Sequence, residues 1–425
     1  MVTTNAAVLG GPGEVLSTDA VSAFIADELR GVPLDGRSVC ILVPDGSRSC
    51  PLPLLLGSVT QALRGRASAV TVLVALGTHP PMPEAALARH LGYPVGDSAD
   101  RYPGVRILQH EWADPATFVT VGELSVADLQ EASGGRLPPR AVPVRINRAV
   151  VEADVTLVLG PVFPHEVVGF SGGDKYLFPG VSGREMIDVS HWLGALISSA
   201  AIIGARGVTP VRAVITKAAS LVPTERLSFS VVVRSGSPDL HAIAFGTTEA
   251  AWAAAADVSA ETHVRYLDAP VRRVLSLVPD RYDELWTAAK AMYKVEPIVA
   301  DGGEVVVYGP RMRELSVVHG DRIRAVGYHC RDYFLQQWQR FSGEPWGVLA
   351  HSTHLRGGGT YVDGVEECRI QVTLATGISA DETRAVALTY RDPAGIDIDE
   401  WRTDPHTLVV ENAGETLYRL RTVGA

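Results

Sequence analysis

Short, nearly unbroken apolar runs alternate along the chain with stretches whose apolar positions recur every three to four residues. The runs at 38–43, 70–76 and 154–159 are dominated by Val, Leu and Ile and lack polar alternation. That pattern predicts strands buried on both faces, as in a parallel sheet covered by helices. Amphipathic helices are predicted at 19–29, 53–64 and 83–91. A weaker strand is predicted at 105–109, and 112–147 reads as a turn-rich excursion with short strands. A strand at 227–233 and an Ala-rich helix at 246–258 follow. The pattern restarts after Asp268-Ala269-Pro270 with strands at 273–278, 304–308, 346–350 and 370–374 and helices at 283–291 and 331–341. Two last runs, 407–411 and 416–420, joined by Asn412-Ala413-Gly414-Glu415, read as a closing hairpin. The expected fold class is α/β, with two α/β domains at 1–268 and 269–425, the first built on a mainly parallel sheet.

Composition narrows the function classes. At 425 residues two domains are the default, and 46% hydrophobic with 20% charged residues describes a folded globular chain. A net charge of -10 argues against a nucleic-acid or anionic-membrane partner, while leaving room for a small anionic substrate at a local Arg/Lys cluster. No run reaches the length of a membrane span, and the first residues lack the basic and apolar regions of a signal peptide. Cys40, Cys50, Cys330 and Cys368 form no CxxC pair and read as reduced thiols of a cytoplasmic protein.

Three predicted strands deliver polar residues just beyond their carboxyl ends. These are Asp45 and Arg48, then Thr78 and His79, then His165. In open parallel sheets ligands bind along that edge, so an acid, an arginine and two histidines converge there. Taken singly, each has a plainer reading: Asp45-Gly46-Ser47 is a good turn, and His79 precedes Pro80-Pro81. Just downstream, Ser171-Gly172-Gly173 is a turn whose amides suit an anion, and Lys175 beside it is placed to pair with a phosphate or to anchor a group covalently. His191 follows on a predicted helix, its imidazole available to a metal. Other motifs are weaker. No Gly-x-Gly-x-x-Gly follows a strand, and there is no Walker lysine and no His-Glu-x-x-His. Gly169-Phe170-Ser171-Gly172-Gly173 matches Gly-x-Ser-x-Gly, but a nucleophile elbow needs a strand directly before the serine and a helix directly after it. His351-Ser352-Thr353-His354 reads as a loop with satisfied histidines.

On these residues the chain resembles the lactate racemase family, whose members use a nickel-pincer nucleotide. The most specific match is HEVVGFSGGDKYLFPG, residues 165–180, followed by His191. The resemblance implies that His165 is catalytic, that Lys175 carries the nucleotide covalently and that His191 is a nickel ligand. Gly77-Thr78-His79 matches the second catalytic histidine, and Asp45-Gly46-Ser47-Arg48 matches the family's Asp-x-x-Arg. Trp286-Thr287-x-x-Lys290-Ala291 resembles a Tyr-Gln-x-x-Lys-Ala helix whose lysine faces the substrate. Arg48, Lys290, Trp286 and Thr287 are then substrate contacts, and Asp45, Ser171, Gly172 and Gly173 belong to the nucleotide. Trp338 is the candidate for the family's pocket tryptophan.

The implied function is racemisation or epimerisation of a 2-hydroxy acid in a cleft between the domains, by reversible hydride transfer with two histidines as acid and base. Trp286 and Thr287 in place of Tyr and Gln imply an acid bulkier than lactate. The implied partners are that acid and the enzymes that make the nucleotide. The alternatives are a related redox enzyme and a non-catalytic carrier of the nucleotide or nickel.

Overall fold

A computed structural model describes residues 5–421, so the reading of the very first residues as no signal segment falls partly outside it. The chain forms two compact units. The first comprises the chain through Phe163 with Phe170–Ile187 and Arg206–Thr262, and the second comprises Pro164–Gly169, Asp188–Ala205 and the chain from His263 onward. His165 and His191 therefore belong to the second unit, and Lys175 to the first.

The first unit is built on a seven-stranded sheet. Its spatial order is Ala7–Gly10, Leu240–Thr247, Glu225–Val233, Val155–Pro161, Ser38–Pro44, Ala69–Ala75 and Val105–Gln109. The last five run parallel, and the first two are antiparallel additions at one edge. Every residue of Val155–Pro161 is buried, as its unbroken apolar run requires for a strand covered on both faces. The helix Thr18–Arg30 starts where the Ser17 hydroxyl accepts the Ala20 amide, and it buries Val21, Ile25 and Leu29 at helical spacing. Those side chains join Leu52, Leu55, Leu56 and Val59 of the helix Leu52–Leu63 in one core with the strands. The turn-rich excursion contains the hairpin-like pair Phe118–Leu124 and Val142–Asn147. The Ala-rich helix runs Thr248–His263, later than expected, because Leu240–Thr247 is a strand the sequence reading did not resolve.

The second unit has a five-stranded, all-parallel sheet: Thr389–Tyr390, Gln371–Thr376, Val299–Gly309, Val271–Leu277 and Thr407–Val410. Three expectations are corrected here. Residues 346–350 are not a strand but the start of the helix Trp346–Arg356, which is buried from Trp346 through Leu355. A helix buried all round loses the periodicity that separates it from a strand. His351 and His354 accordingly lie on a helix, not in a loop. The final two strands do not pair as a hairpin: Thr407–Val410 pairs with Val271–Leu277, and Leu417–Leu420 pairs with Val264–Leu267. Among the described residues no helix is long and apolar enough to cross a membrane.

Candidate active site

The strand order of the first unit reverses between Val155–Pro161 and Ser38–Pro44, which is where an open parallel sheet offers a crevice at its carboxyl edge. The turn after Ser38–Pro44 is closed by Asp45, whose Oδ1 accepts the Ser47 amide at 3.0 Å and the Ser47 hydroxyl at 2.6 Å. Its other oxygen, Oδ2, pairs with Nδ1 of His79 from the turn beyond the next strand. The His79 loop is fixed by its amide on the Leu76 carbonyl and by the Trp112 indole, which donates to the His79 carbonyl at 2.9 Å. With a carboxylate at Nδ1, the neutral ring carries its proton there and leaves Nε2 as a base. Arg48 lies with its guanidinium carbon 5.8 Å from the centroid of the Phe163 ring.

Beside these groups sits Tyr176, which the sequence reading did not single out. Burial first, then Cys50 and Asp45, push its phenol well above the usual range against the opposing pull of Arg48. A Cβ on Gly160 would lie 1.8 Å from its hydroxyl, so the strand's glycine makes room for this ring.

Lys175 stands on the short 3-10 turn Gly173–Tyr176, its amide on the Gly172 carbonyl at 3.3 Å. Gly172 and Gly173 have φ of +91° and +59°. A Cβ on Gly172 would meet Val162 Cγ2 at 2.7 Å, and one on Gly173 would meet Trp252 Cβ and the Thr248 carbonyl at 3.0 Å. Both glycines are thus demanded by backbone conformation and close packing. The Ser171 hydroxyl accepts the Phe163 amide at 2.9 Å, and the Ser171 amide returns a bond to the Phe163 carbonyl. Asp174 accepts the Thr248 hydroxyl at 2.6 Å. The turn is clamped by Arg212, a residue without a sequence signal. It donates to the Phe170 carbonyl at 2.6 Å and reaches the Gly172 carbonyl at 3.5 Å, with its guanidinium 3.6 Å from the Trp252 ring centroid.

In the second unit His165 is buried, and its Nδ1 accepts the Val167 amide at 3.1 Å. That bond places the proton of the neutral ring on Nε2, with the Glu166 carboxylate 3.2 Å from Nδ1. His191 lies on the helix Arg184–Ile197. Its neighbour Trp192 stacks on Trp338 with centroids 5.4 Å apart, and Trp338 also contacts Trp346 at 5.6 Å.

Residues 285–293 form two short helices, Leu285–Ala288 and Lys290–Tyr293, in place of the single helix expected. The Trp286 indole packs against two imidazoles, with His351 at 4.1 Å and His319 at 4.4 Å between centroids. Lys290 is buried with its ammonium 4.8 Å from the Tyr282 ring centroid, and the Thr287 hydroxyl donates to the Glu284 carbonyl at 3.1 Å. Burial first, then His354, His319, His191 and Lys290, hold His351 well below its ordinary pKa. His354 is pushed down to about 4 by burial against the opposing Glu166. Both were in view in the sequence, but a loop reading hid their burial on a helix. Among the described residues no three His, Cys, Asp or Glu side chains converge to hold a metal ion.

Comparison with known proteins fits this arrangement. Residues 19–204 match the model of the lactate racemase N-terminal domain. The chain is 26% identical over 168 residues to a lactate racemase of Lactiplantibacillus plantarum, covering 39% of this chain and 35% of that one. It is 26% identical over 159 residues to a lactate racemase of Thermoanaerobacterium thermosaccharolyticum, covering 36% and 32%. The matches thus span about a third of the curated relatives' length. Over whole chains, the structure of a Thermotoga maritima protein superposes with a TM-score of 0.88 at 28% identity, covering 96% of this chain and 100% of that one. The lactate racemase apoprotein of T. thermosaccharolyticum superposes at 0.72 and 17% identity, covering 95% and 93%, which establishes a shared fold. Asp45, Arg48, His79, His165, Lys175 and His191 all lie within the residues that match the lactate racemase N-terminal domain, and the chain is similar to lactate racemases over that part.

Proposed function

We propose that the protein is a racemase or epimerase of a 2-hydroxy carboxylic acid, a cytoplasmic enzyme working with a nickel-pincer nucleotide tethered to Lys175. The observation that carries this reading is the Asp45–His79 pair, an oriented base at the carboxyl edge of a parallel sheet inside the matched racemase domain. The donor set suits the nucleotide. Lys175 offers a primary amine on a rigid turn, and His191 offers one imidazole, which fits a metal that brings its remaining ligands with it. When bound, the nucleotide supplies a pyridinium acceptor for the substrate's α-hydrogen, so that no carbanion forms beside the carboxylate.

The chain's own residues do the rest. His79 Nε2 takes the hydroxyl proton of one stereoisomer, and Asp45 stabilises the imidazolium so formed. His165, as the imidazolium that the Glu166 carboxylate supports, would give a proton to the oxygen of the planar 2-keto acid as the other stereoisomer forms and be left neutral. Arg48 grips the substrate carboxylate with its forked donors, and Lys290 adds a second positive group. Trp286 and Thr287 complete the set of substrate contacts.

The test is production together with the enzymes that make the nucleotide, followed by intact mass, nickel content and chiral analysis of 2-hydroxy acids. An adduct with about one nickel per chain, absent from Lys175→Ala, and loss of optical purity in one acid are expected. Neither adduct nor nickel, with nucleotide production confirmed on a control racemase, overturns the reading. Net accumulation of keto acid would move it to a redox enzyme of the same family.

A further inference from the structure

The proposed function leaves the substrate's side chain open, and the second unit carries groups that function does not use. His351 and His354 sit three residues apart on one face of the helix Trp346–Arg356. They pack against the segment that carries Lys290. The His351 ring is 4.1 Å from Trp286, and the His354 ring is 6.4 Å from Tyr293, with Lys290 between those two in sequence. Lys290 also acts electrostatically on His351.

His351 Nε2 lies 3.3 Å from the Tyr328 hydroxyl. His354, only 3% exposed, has no hydrogen-bond partner at either ring nitrogen among the described residues. Buried polar groups are normally satisfied, so a fully buried imidazole with two idle nitrogens points to a missing partner. Among the described residues no three ligating side chains converge there to hold a metal by themselves.

Resting on the racemase reading, we propose that the substrate is a 2-hydroxy acid bearing further hydroxyl groups on its chain, read by His351 and His354 beside Lys290. The complementarity is chemical. A buried neutral imidazole donates at one nitrogen and accepts at the other, and a hydroxyl does the same. An alkyl or phenyl substituent would leave His354 desolvated and unmatched. A second carboxylate only accepts and would favour imidazolium, which burial opposes. The bulk inferred from Trp286 is then a polar bulk, because its indole lies against two imidazoles, those of His351 and His319.

The holoenzyme is assayed by chiral chromatography on lactate, 2-hydroxybutyrate, phenyllactate, malate, glycerate, threonate and gluconate. The best kcat/KM is expected for one of the last three, at least tenfold above 2-hydroxybutyrate, phenyllactate and malate. The ratio of hydroxylated to alkyl acid should fall at least tenfold in His351→Phe and in His354→Leu, with His351→Asn retaining part of it. A ratio cancels differences in folding and in nucleotide loading. Preference for an alkyl, aryl or dicarboxylic acid overturns the proposal while leaving the racemase reading intact, and so does an unchanged ratio in all three variants. If no acid turns over in adduct-bearing protein, the racemase reading falls. Gluconate binding by calorimetry, weakened at least tenfold in His351→Phe, would then uphold the subsite by itself.

Discussion

Replacing Asp45 by Asn is a change of one atom that should reverse the protonation of His79. In the wild type Asp45 Oδ1 accepts two donors from Ser47, and Oδ2 faces His79 Nδ1. An asparagine has one oxygen and one NH2 to place in these two positions. Turning its NH2 towards Ser47 forfeits the bond from the Ser47 amide, about 1 kcal/mol, and sets N–H against N–H there. The oxygen therefore stays with Ser47, and the NH2 faces His79. The imidazole must then accept at Nδ1 and carry its proton on Nε2, the nitrogen that the proposed mechanism uses as base. Restoring the tautomer that the proposed mechanism uses costs the lost charge-assisted bond, about 1.5–3 kcal/mol, which corresponds to roughly 10- to 150-fold in rate. We expect kcat to fall by about that factor with KM nearly unchanged, and global stability to drop by only about 1 kcal/mol. Chiral analysis of the racemised acid gives the rate, and 15N NMR of the histidines reads the tautomer directly. A variant within threefold of wild-type kcat, or a His79 Nδ1–H that survives the substitution, would refute this reasoning.

Three further outcomes follow from the same coordinates. Arg212→Leu should destabilise the first unit by about 2–4 kcal/mol in urea unfolding, because two carbonyls beside the Lys175 turn lose a cationic donor and Trp252 loses its stacked guanidinium; unchanged stability would mean that the cost of burying Arg212 cancels both. His354 titrates near 4 in the folded chain against an ordinary 6.5, so between those values the unfolded state binds a proton that the folded state refuses. Stability should therefore fall with decreasing pH by about 1.4 kcal/mol per unit on this account, and His354→Leu should flatten the curve between pH 6.5 and 5 by about 2 kcal/mol in unfolding titrations. Gly160→Ala should cost about 1–3 kcal/mol by thermal unfolding, since its methyl would collide with the Tyr176 hydroxyl.

Much of the first unit was legible because its strands are buried on both faces. Unbroken Val/Leu/Ile runs can hardly sit anywhere else, and the turns at their carboxyl ends announced Asp45, Arg48 and His79. What the sequence hid were contacts made across long separations. Arg212 lies some forty residues from the turn it clamps, and nothing local distinguishes it from a surface helix arginine until its carbonyl partners are seen. The glycines after Ser171 were visible, but their cause was not. An anion-binding turn and a packed turn share the same letters, and only the positions of Val162, Trp252 and Thr248 show that packing requires them. His351 and His354 were misjudged for another reason, because a short apolar run before them suits a strand as well as a helix buried all round.

The two candidate acid–base histidines are held by different chemistry, and this bears on how such an enzyme would share its work. His79 rests on a carboxylate, which fixes its proton at Nδ1 and supports a positive ring. His165 receives a backbone amide at Nδ1, which fixes its proton at Nε2, with a carboxylate close by to support the cation. With both rings neutral the pair therefore presents one base and one hydrogen-bond donor at Nε2, so the two directions of turnover would start from unlike protonation states. For enantiomers the overall equilibrium constant is unity, so this asymmetry cannot favour one product at equilibrium. It is confined to how each direction divides its kcat/KM between kcat and KM.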